Sequence, residues 1–220
     1  MSNPEVREIR SAPVGDVEIR SEAGKPAMLV GHGAVFYNPS DPSTRYMLAG
    51  DLEERVAPGA FDRALREVQD VRALWNHSPD KVLGRTKSGT LRLSTDARGL
   101  RYEVDAPAHA ADVVESIKRG DVTGSSFSFR VKKDTVTKET RDGRSYYIRT
   151  IEEIERLYDV GPVTFPAYDG ADAGARAAIV ARAVGGDPAA EAERIRAAAG
   201  EDPAAAAARR ARTIAIAERS

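Results

Sequence analysis

The sequence predicts an α+β fold, mostly antiparallel β-strands arranged as a sheet or a small barrel, with a few flanking helices. Short segments with alternating apolar and polar residues recur between turn-forming residues, which indicates strands. Two segments instead repeat apolar residues with the period of a helix. Every aromatic residue lies between Phe36 and Tyr168, so we expect the packed core in that part of the chain.

The first predicted elements are a strand and a helix. Residues 27–36 (AMLVGHGAVF) are apolar and precede a turn-rich segment, as is typical of a buried strand. The segment PGAFDRALREV predicts a short amphipathic helix behind an N-terminal proline. The apolar face of this helix is expected to hold Phe61, Ala64, Leu65 and Val68.

Further along, the alternation predicts a hairpin over 91–104 that turns at DARG. ADVVESIKRGD predicts a second helix that ends at Gly120. SSFSFRVKK and YYIRTIEEIERLYDVGPVTF predict further strands on either side of a polar loop at 133–145.

The composition divides the chain into three regions. Residues 1–26 are interpreted as an N-terminal extension and 27–170 as the folded domain. Residues 171–220 form an Ala/Arg-rich tail that is expected to be partly helical or disordered. Asp-Pro pairs at 187–188 and 202–203 each fit a helix N-cap followed by proline at the first helical position.

Composition and charge exclude several classes of protein. The 220 residues include 33 Lys and Arg against 34 Asp and Glu, and a net charge of −1 offers no general attraction for nucleic acid. No apolar run approaches the roughly 18 to 20 residues of a membrane span. The first residues are charged where a secretory signal is apolar, so we expect a protein that stays in the cytoplasm.

The residue types also restrict the chemistry. Without cysteine, the chain has no thiol nucleophile, disulfide or thiolate metal site. His32, His77 and His109 lie far apart and lack the spacing of a helical zinc site, so no metal and no cofactor are expected. Acyl transfer would therefore need a serine or threonine nucleophile with a histidine base from another element.

Candidates for a nucleophile and its base stand in two segments. Ser125, Ser126 and Ser128 lie in GDVTGSSFSFRV, where a helix end leads into a strand and backbone N–H groups could hold an oxyanion. His77 follows the apolar run VRALW in a turn-like NHSPD. Each has an ordinary structural alternative, since serine at a strand start and histidine in a loop most often only form local hydrogen bonds.

Two carboxylates could orient the histidine. Asp159 and Glu153 lie in the last strand-like segment at an even separation, which places both on one face of a regular strand. The alternative is an ion pair with one of the many nearby arginines.

Five segments in order, ERVAPGAFDRAL, VRALWNHSPDKVLGRTKSGTLRL, DARGLRYEVDAP, SIKRGDVTGSSFSF and LYDVGPVTFPAY, resemble the tailed-phage prohead protease family. The resemblance spans about residues 27–169 and implies a fold similar to that of the herpesvirus assemblin serine proteases. The histidine of the family falls on His77 and its serine on Ser126, the favoured one of three nearby serines. Its acidic residue falls on Asp159.

The third catalytic member stays open between two residues. Assemblins use a second histidine on a late strand, but this chain has none after His109. Asp159 matches the stronger motif and is slightly favoured, whereas Glu153 lies nearer to the position of the assemblin histidine.

The resemblance implies a serine endopeptidase that cleaves scaffold and major capsid protein peptides inside an assembling procapsid in the bacterial cytoplasm. It also suggests self-cleavage, and it leaves open whether the active form is a homodimer. The alternative is a non-enzymatic capsid scaffold or tail-tube-like assembly protein in which His77 and Ser126 are structural. Hydrogen-bond reach between those two side chains distinguishes the two hypotheses.

Overall fold

A computed structural model describes residues 7–12, 17–24, 26–165 and 173–192. Strands predominate, and those in the described ranges form two sheets with a few helices and no closed barrel. Of the two predicted architectures, the sheet is therefore confirmed and the barrel is wrong. The chain divides into two compact units, one of residues 1–135 with 148–170 and the other of 136–147 with 171–220.

The strands, numbered along the chain, are β1 (Glu8–Ser11), β2 (Glu18–Arg20), β3 (Met28–Val35), β4 (Tyr46–Ala49), β5 (Leu52–Val56), β6 (Arg72–Leu74), β7 (Val82–Arg85), β8 (Leu91–Thr95), β9 (Gly99–Asp105), β10 (Gly124–Arg141) and β11 (Arg144–Val163). The helices are α1 (Asp62–Arg66), α2 (Ala111–Lys118) and α3 (Ala173–Val184), with 3₁₀ turns at Pro42–Thr44 and Ala108–Ala110.

The larger sheet has the strand order β1-β10-β11-β5-β4, and β6 and β7 extend it from β11. β1 runs antiparallel to β10, with Ser11 opposite Ser126 and Ile9 opposite Ser128. β6 runs parallel to β11 instead. Both β1 and β2 lie within the stretch that was interpreted from the sequence as an extension.

The smaller sheet is antiparallel throughout, in the order β2-β3-β9-β8. It confirms the predicted strand at 27–36 and the predicted hairpin at 91–104. The hairpin turns at Asp96, whose Oδ1 accepts hydrogen bonds from the backbone N–H groups of Arg98 and Gly99.

Aromatic side chains fill the core of the first unit. Phe127 stacks on Phe129 with ring centroids 4.5 Å apart, and Phe61 meets Phe127 edge-on at 5.7 Å. All three are fully buried, which stabilises the fold by roughly 2 to 3 kcal/mol for each side chain. Tyr102 on β9 reaches across to β10, where its hydroxyl lies 2.8 Å from Ser125 Oγ.

The two predicted helices of the domain are present, but the first is shorter than expected. α1 ends at Arg66, and Val68 adopts a positive φ of 47° and is 77% exposed, so its predicted place on the apolar face is wrong. α2 buries Val113 and Ile117 and is followed by Gly120 at φ 79°, as predicted.

The polar loop predicted at 133–145 is wrong. β10 and β11 are strands of 18 and 20 residues, and only Asp142 and Gly143 lie between them. Both have positive φ angles, 50° and 76°, as in the tight Asp-Gly turn that suits a hairpin. The polar residues of this stretch lie mostly at exposed positions on the strands, because the end of the hairpin has little core to cover.

The second unit contains the end of this hairpin and α3. A further helical segment at 188–192 begins at the first Asp-Pro pair, where Asp187 Oδ1 accepts a hydrogen bond from the Ala189 N–H. The second predicted cap, at 202–203, lies outside the described residues, as does most of the predicted tail. Within the described ranges, no helix is both long enough and apolar enough to traverse a bilayer.

Candidate active site

His77 lies in a strained turn directly after β6. Asn76 and His77 have φ angles of 51° and 57°, a left-handed conformation that is uncommon outside glycine. The Asn76 amide holds the turn, because its Oδ1 accepts from the Thr164 N–H at 2.8 Å and its Nδ2 donates to Thr164 Oγ1 at 3.1 Å. Such a conformation persists where the surroundings fix it. The backbone therefore sets the direction of the imidazole.

The parallel pairing of β6 with β11 brings this turn beside Asp159. Arg72 on β6 lies opposite Asp159 in the register. The two strands approach closely, since a Cβ at Gly161 would stand only 2.1 Å from the carbonyl oxygen of Leu74. Glycine at this position is what allows the close approach of the two strands.

β10 directs Ser126 toward His77. The Oγ of Ser126 lies 2.6 Å from His77 Nε2 and 2.9 Å from the backbone carbonyl oxygen of Arg10 on β1. The serine is fully buried, whereas 18% of the His77 side chain is exposed. A hydroxyl has one proton, so the imidazole and the Arg10 carbonyl compete for it.

Asp159 on β11 completes the group from the other side of the imidazole. Its Oδ1 lies 2.5 Å from His77 Nδ1, and the residue is almost completely buried. Burial raises the pKa of this carboxyl, but the hydrogen bond and charge of His77, a hydrogen bond from Ser128 and the charge of Arg7 outweigh burial, and the pKa lies below its ordinary value. Asp159 is thus ionised at neutral pH.

The ionised carboxylate decides which ring nitrogen carries the proton. It accepts a hydrogen bond from Nδ1–H of His77, which leaves the Nε2 lone pair free to accept the proton of Ser126. Hydroxyl, imidazole and carboxylate therefore stand in the order that general-base activation of a serine requires.

The other candidate residues lie elsewhere. Glu153 is six positions before Asp159 on the same strand, roughly 20 Å away, and it pairs with Lys132 at 3.0 Å and with Arg63 at 3.7 Å. His32 Nε2 contacts Asp96 at 2.8 Å, and His109 Nε2 contacts the Val82 carbonyl oxygen at 3.1 Å.

Three groups at the site were not predicted. Arg7 and the Arg10 carbonyl belong to the N-terminal stretch and reach the site only because β1 pairs with β10. Ser128 was considered solely as an alternative nucleophile, yet its hydroxyl contacts Asp159. The alternation of side chains along a strand could have indicated that Ser128 lies near the site, since it places Ser126 and Ser128 on one face of β10.

A cavity of about 230 Å³ opens beside the imidazole. It is lined by Ile9, Ser11, Asn76, His77, Val163, Thr164 and Phe165. Its walls thus combine three apolar side chains with four polar ones, so the cavity offers both apolar contact and hydrogen-bonding groups beside the imidazole. Among the described residues, no three histidine or carboxylate side chains converge as a metal site requires.

Comparison with known families supports the resemblance seen in the motifs. A family model described as Caudovirus prohead serine protease matches residues 15–183, most of the 220-residue chain and a range that includes His77, Ser126 and Asp159. Arg7 and β1 precede that range. No curated protein and no solved structure matches the chain.

Proposed function

The chain belongs to the caudovirus prohead serine protease family, and we propose on that premise that Ser126 is the nucleophile of a serine endopeptidase. His77 acts as general base and then general acid, and Asp159 orients the imidazole. One observation carries this proposal, namely that a single imidazole lies 2.6 Å from Ser126 Oγ and 2.5 Å from Asp159 Oδ1. The chemistry needs no cofactor.

The proposed reaction passes through an acyl-enzyme. The Ser126 proton moves to His77 Nε2 as Oγ attacks the peptide carbonyl carbon, and the imidazolium then gives that proton to the leaving amine as the C–N bond breaks. In the second half, water attacks the ester, with His77 again taking a proton and returning it to Ser126 Oγ. Asp159 stays ionised throughout and stabilises the imidazolium.

Attack also requires access to Ser126, which is fully buried and lies opposite Ser11 of β1. In the described arrangement the Arg10 carbonyl oxygen lies within hydrogen-bond distance of Ser126 Oγ. We expect a substrate carbonyl to displace this contact, entering through the cavity beside His77. The hydroxyl proton is then shared with Nε2 alone.

The contacts favour Asp159 over Glu153 as the orienting carboxylate. Asp159 is buried against the imidazole, whereas Glu153 is partly exposed and neutralised by Lys132. An orienting group acts through a direct hydrogen bond to the ring nitrogen opposite the nucleophile, which only Asp159 is placed to make.

We further propose peptides of the major capsid protein and its scaffold segment as substrates, cleaved inside the assembling procapsid in the bacterial cytoplasm. The family description, a prohead protease, supports this class. Small-residue runs in 171–220 are proposed as sites of self-cleavage, since alanine side chains are small enough to enter a protease cleft when the segment binds there as an extended peptide.

The alternative, a purely structural assembly protein, is less well supported. His77 and Ser126 are 49 positions apart in sequence, yet their side chains meet, and the His77 backbone has a positive φ while its imidazole is hydrogen-bonded on both nitrogens. A structural role gives no reason for this arrangement.

Co-expression with the capsid protein of the same phage tests the proposal. Wild type should shorten the capsid protein, with new termini visible by mass spectrometry, and Ser126→Ala should leave it at full length. Ser125→Ala provides the matched control, since it removes a neighbouring hydroxyl. Processing by Ser126→Ala at the wild-type rate would exclude Ser126 as nucleophile.

A further inference from the structure

The oxygen of Asp159 that points away from His77 has two partners of its own. Arg7 Nη2 lies 2.5 Å from this Oδ2, and the Ser128 hydroxyl forms a short hydrogen bond with it. Arg7 also donates to Ser128 Oγ, from Nε at 3.1 Å and from Nη2 at 2.9 Å. Asp159, Ser128 and Arg7 therefore form a closed triangle of contacts.

The direction of every hydrogen bond in this triangle follows from the groups involved. A guanidinium has donors only, so Ser128 Oγ must accept from Arg7. The single proton of Ser128 is then left to donate to Asp159 Oδ2. With Oδ2 accepting from both partners, Oδ1 faces His77 alone, and the plane of the carboxylate is set from both ends.

The backbone holds both partners in place. Ser128 is fully buried and lies two positions after Ser126 on the same face of β10. Arg7 directly precedes β1, which is fastened to β10 by antiparallel pairing. The Arg7 guanidinium lies 5.2 Å from the ring centroid of Tyr158 and keeps 47% of its side chain exposed.

We propose that Ser128 and Arg7 are positioning residues for the hydrolysis: they hold the Asp159 carboxylate in the plane and charge state that keep the His77 proton on Nδ1. The inference rests on the proposed function of Ser126, His77 and Asp159. Neither side chain touches the reacting atoms, so both act on turnover through Asp159. The N-terminal segment, which lies before the range matched by the family, thus becomes part of the active site.

The test measures kcat and KM on a peptide cleaved by the wild type. Ser128→Ala and Arg7→Ala should each lower kcat by about 10- to 100-fold with little change in KM, the effect of losing one hydrogen bond to a charged group. Ser125→Ala and Arg156→Ala are the matched controls. Ser125 bonds Tyr102 instead, and Arg156 lies over the same Tyr158 ring at 6.0 Å.

Chemical rescue separates positioning from mere stability. Because the Arg7 side chain is half exposed, its removal opens a slot that solvent reaches, and added guanidinium ions at millimolar concentration should restore part of the lost kcat in Arg7→Ala. Sodium ions at equal ionic strength should not restore kcat. The Arg7→Lys variant should have a lower kcat than Arg7→Ala assayed with guanidinium, since an ammonium group cannot bridge Asp159 and Ser128 in the geometry of a guanidinium.

The inference is overturned if folded Arg7→Ala and Ser128→Ala keep the wild-type kcat, or if their losses follow thermal stability alone and guanidinium rescues nothing. When Ser126→Ala and Asp159→Asn are inactive in the same assay, such a result removes only the roles of Arg7 and Ser128. When those two variants remain active, the proposed function fails and the inference fails with it.

Discussion

Ser125 and Ser126 are neighbours in the chain, but their hydroxyls serve opposite faces of β10. The Oγ of Ser125 lies 2.8 Å from the Tyr102 hydroxyl in the core between the sheets, and that of Ser126 lies 2.6 Å from His77 Nε2. Successive side chains of a strand alternate in this way. One of the two hydroxyls therefore contacts His77 and the other packs in the core.

Ser126→Ala is expected to abolish cleavage with little change in fold, because it removes only the attacking oxygen. The loss should be about 10⁴-fold or more in kcat. Ser125→Ala should retain most activity and instead lower the melting temperature, since it leaves the buried Tyr102 hydroxyl without this partner. Equal losses of activity in both variants would contradict the division of roles between the faces.

Asp159→Asn should lower kcat by about 10³- to 10⁴-fold, because an amide can present its NH₂ to Nδ1 and so favour the wrong imidazole tautomer. Glu153→Gln should be mild, since it breaks only partly exposed pairs, with Lys132 and with Arg63. Steady-state kinetics on the same peptide decides between them. The reverse order of effects would identify Glu153 as the orienting group.

Local sequence patterns predicted the local structure well. The strand at 27–36, the hairpin at 91–104 and the helix ending before Gly120 were read from alternation, turn residues and period. The polar residues at 133–145 led to the wrong prediction of a loop, because polar residues are equally suited to a loop and to the exposed end of a long hairpin.

The site was only partly accessible to sequence reasoning. His77, Ser126 and Asp159 were nominated through their motifs, but their contacts depend on a parallel pairing of β6 with β11 that no local pattern reports. The involvement of Arg7 could not be predicted either, since it follows from a pairing between segments more than 100 residues apart. Pairing between distant segments depends on how side chains pack throughout the core, which no short stretch of sequence specifies.

Phe165 stands at the mouth of the cavity beside His77 and is 83% exposed. An exposed aromatic side chain here is expected to pack against a bound peptide. Phe165→Ala should therefore raise KM several-fold and leave kcat nearly unchanged. Val68→Ala is the control, as Val68 is 77% exposed but lies away from this cavity. An unchanged KM in Phe165→Ala would place the substrate elsewhere.

Asp70 should contribute to stability in a pH-dependent way. Two hydrogen bonds from Arg85, at 2.7 and 2.8 Å, are the main reason why the pKa of Asp70 is lowered from 3.8 to about 2. Since the folded pKa is depressed, the stabilisation is complete above 3.8 and is lost as the pH falls from there toward about 2.

Urea unfolding of wild type and Asp70→Asn should show this loss. The difference in midpoint should be constant between about pH 5 and 7 and smaller at about pH 3. Asp80→Asn, which changes an exposed carboxylate in a surface turn, is the control for the removal of one negative charge. A difference in midpoint that becomes larger at low pH would contradict the assignment of this pH-dependent stabilisation to Asp70.

Arg149 is the centre of a buried ion cluster that fastens β1 to the sheet. Its guanidinium contacts Glu8 on β1 at 2.6 Å, Glu54 at 2.9 Å and Asp134 at 2.7 Å, and only 5% of its side chain is exposed. Arg10 on β1 also pairs with Glu54, at 2.7 Å. Removing Arg149 takes one positive charge from a buried cluster in which Arg10 still pairs with Glu8 and Glu54, so the carboxylates outnumber the remaining arginine, which is far more costly than losing an exposed pair.

Arg149→Met should therefore lower the free energy of unfolding by about 3 to 5 kcal/mol. Arg92→Met is the matched control, because Arg92 pairs with Asp105 at 2.8 Å but both side chains are more than 40% exposed, and its loss should cost less than about 1 kcal/mol. Adding Glu54→Gln to Arg149→Met should recover part of the loss, since it removes one of the carboxylates that then outnumber Arg10. Urea unfolding measures all three, and equal effects of Arg149→Met and Arg92→Met would mean that the cluster does not hold β1.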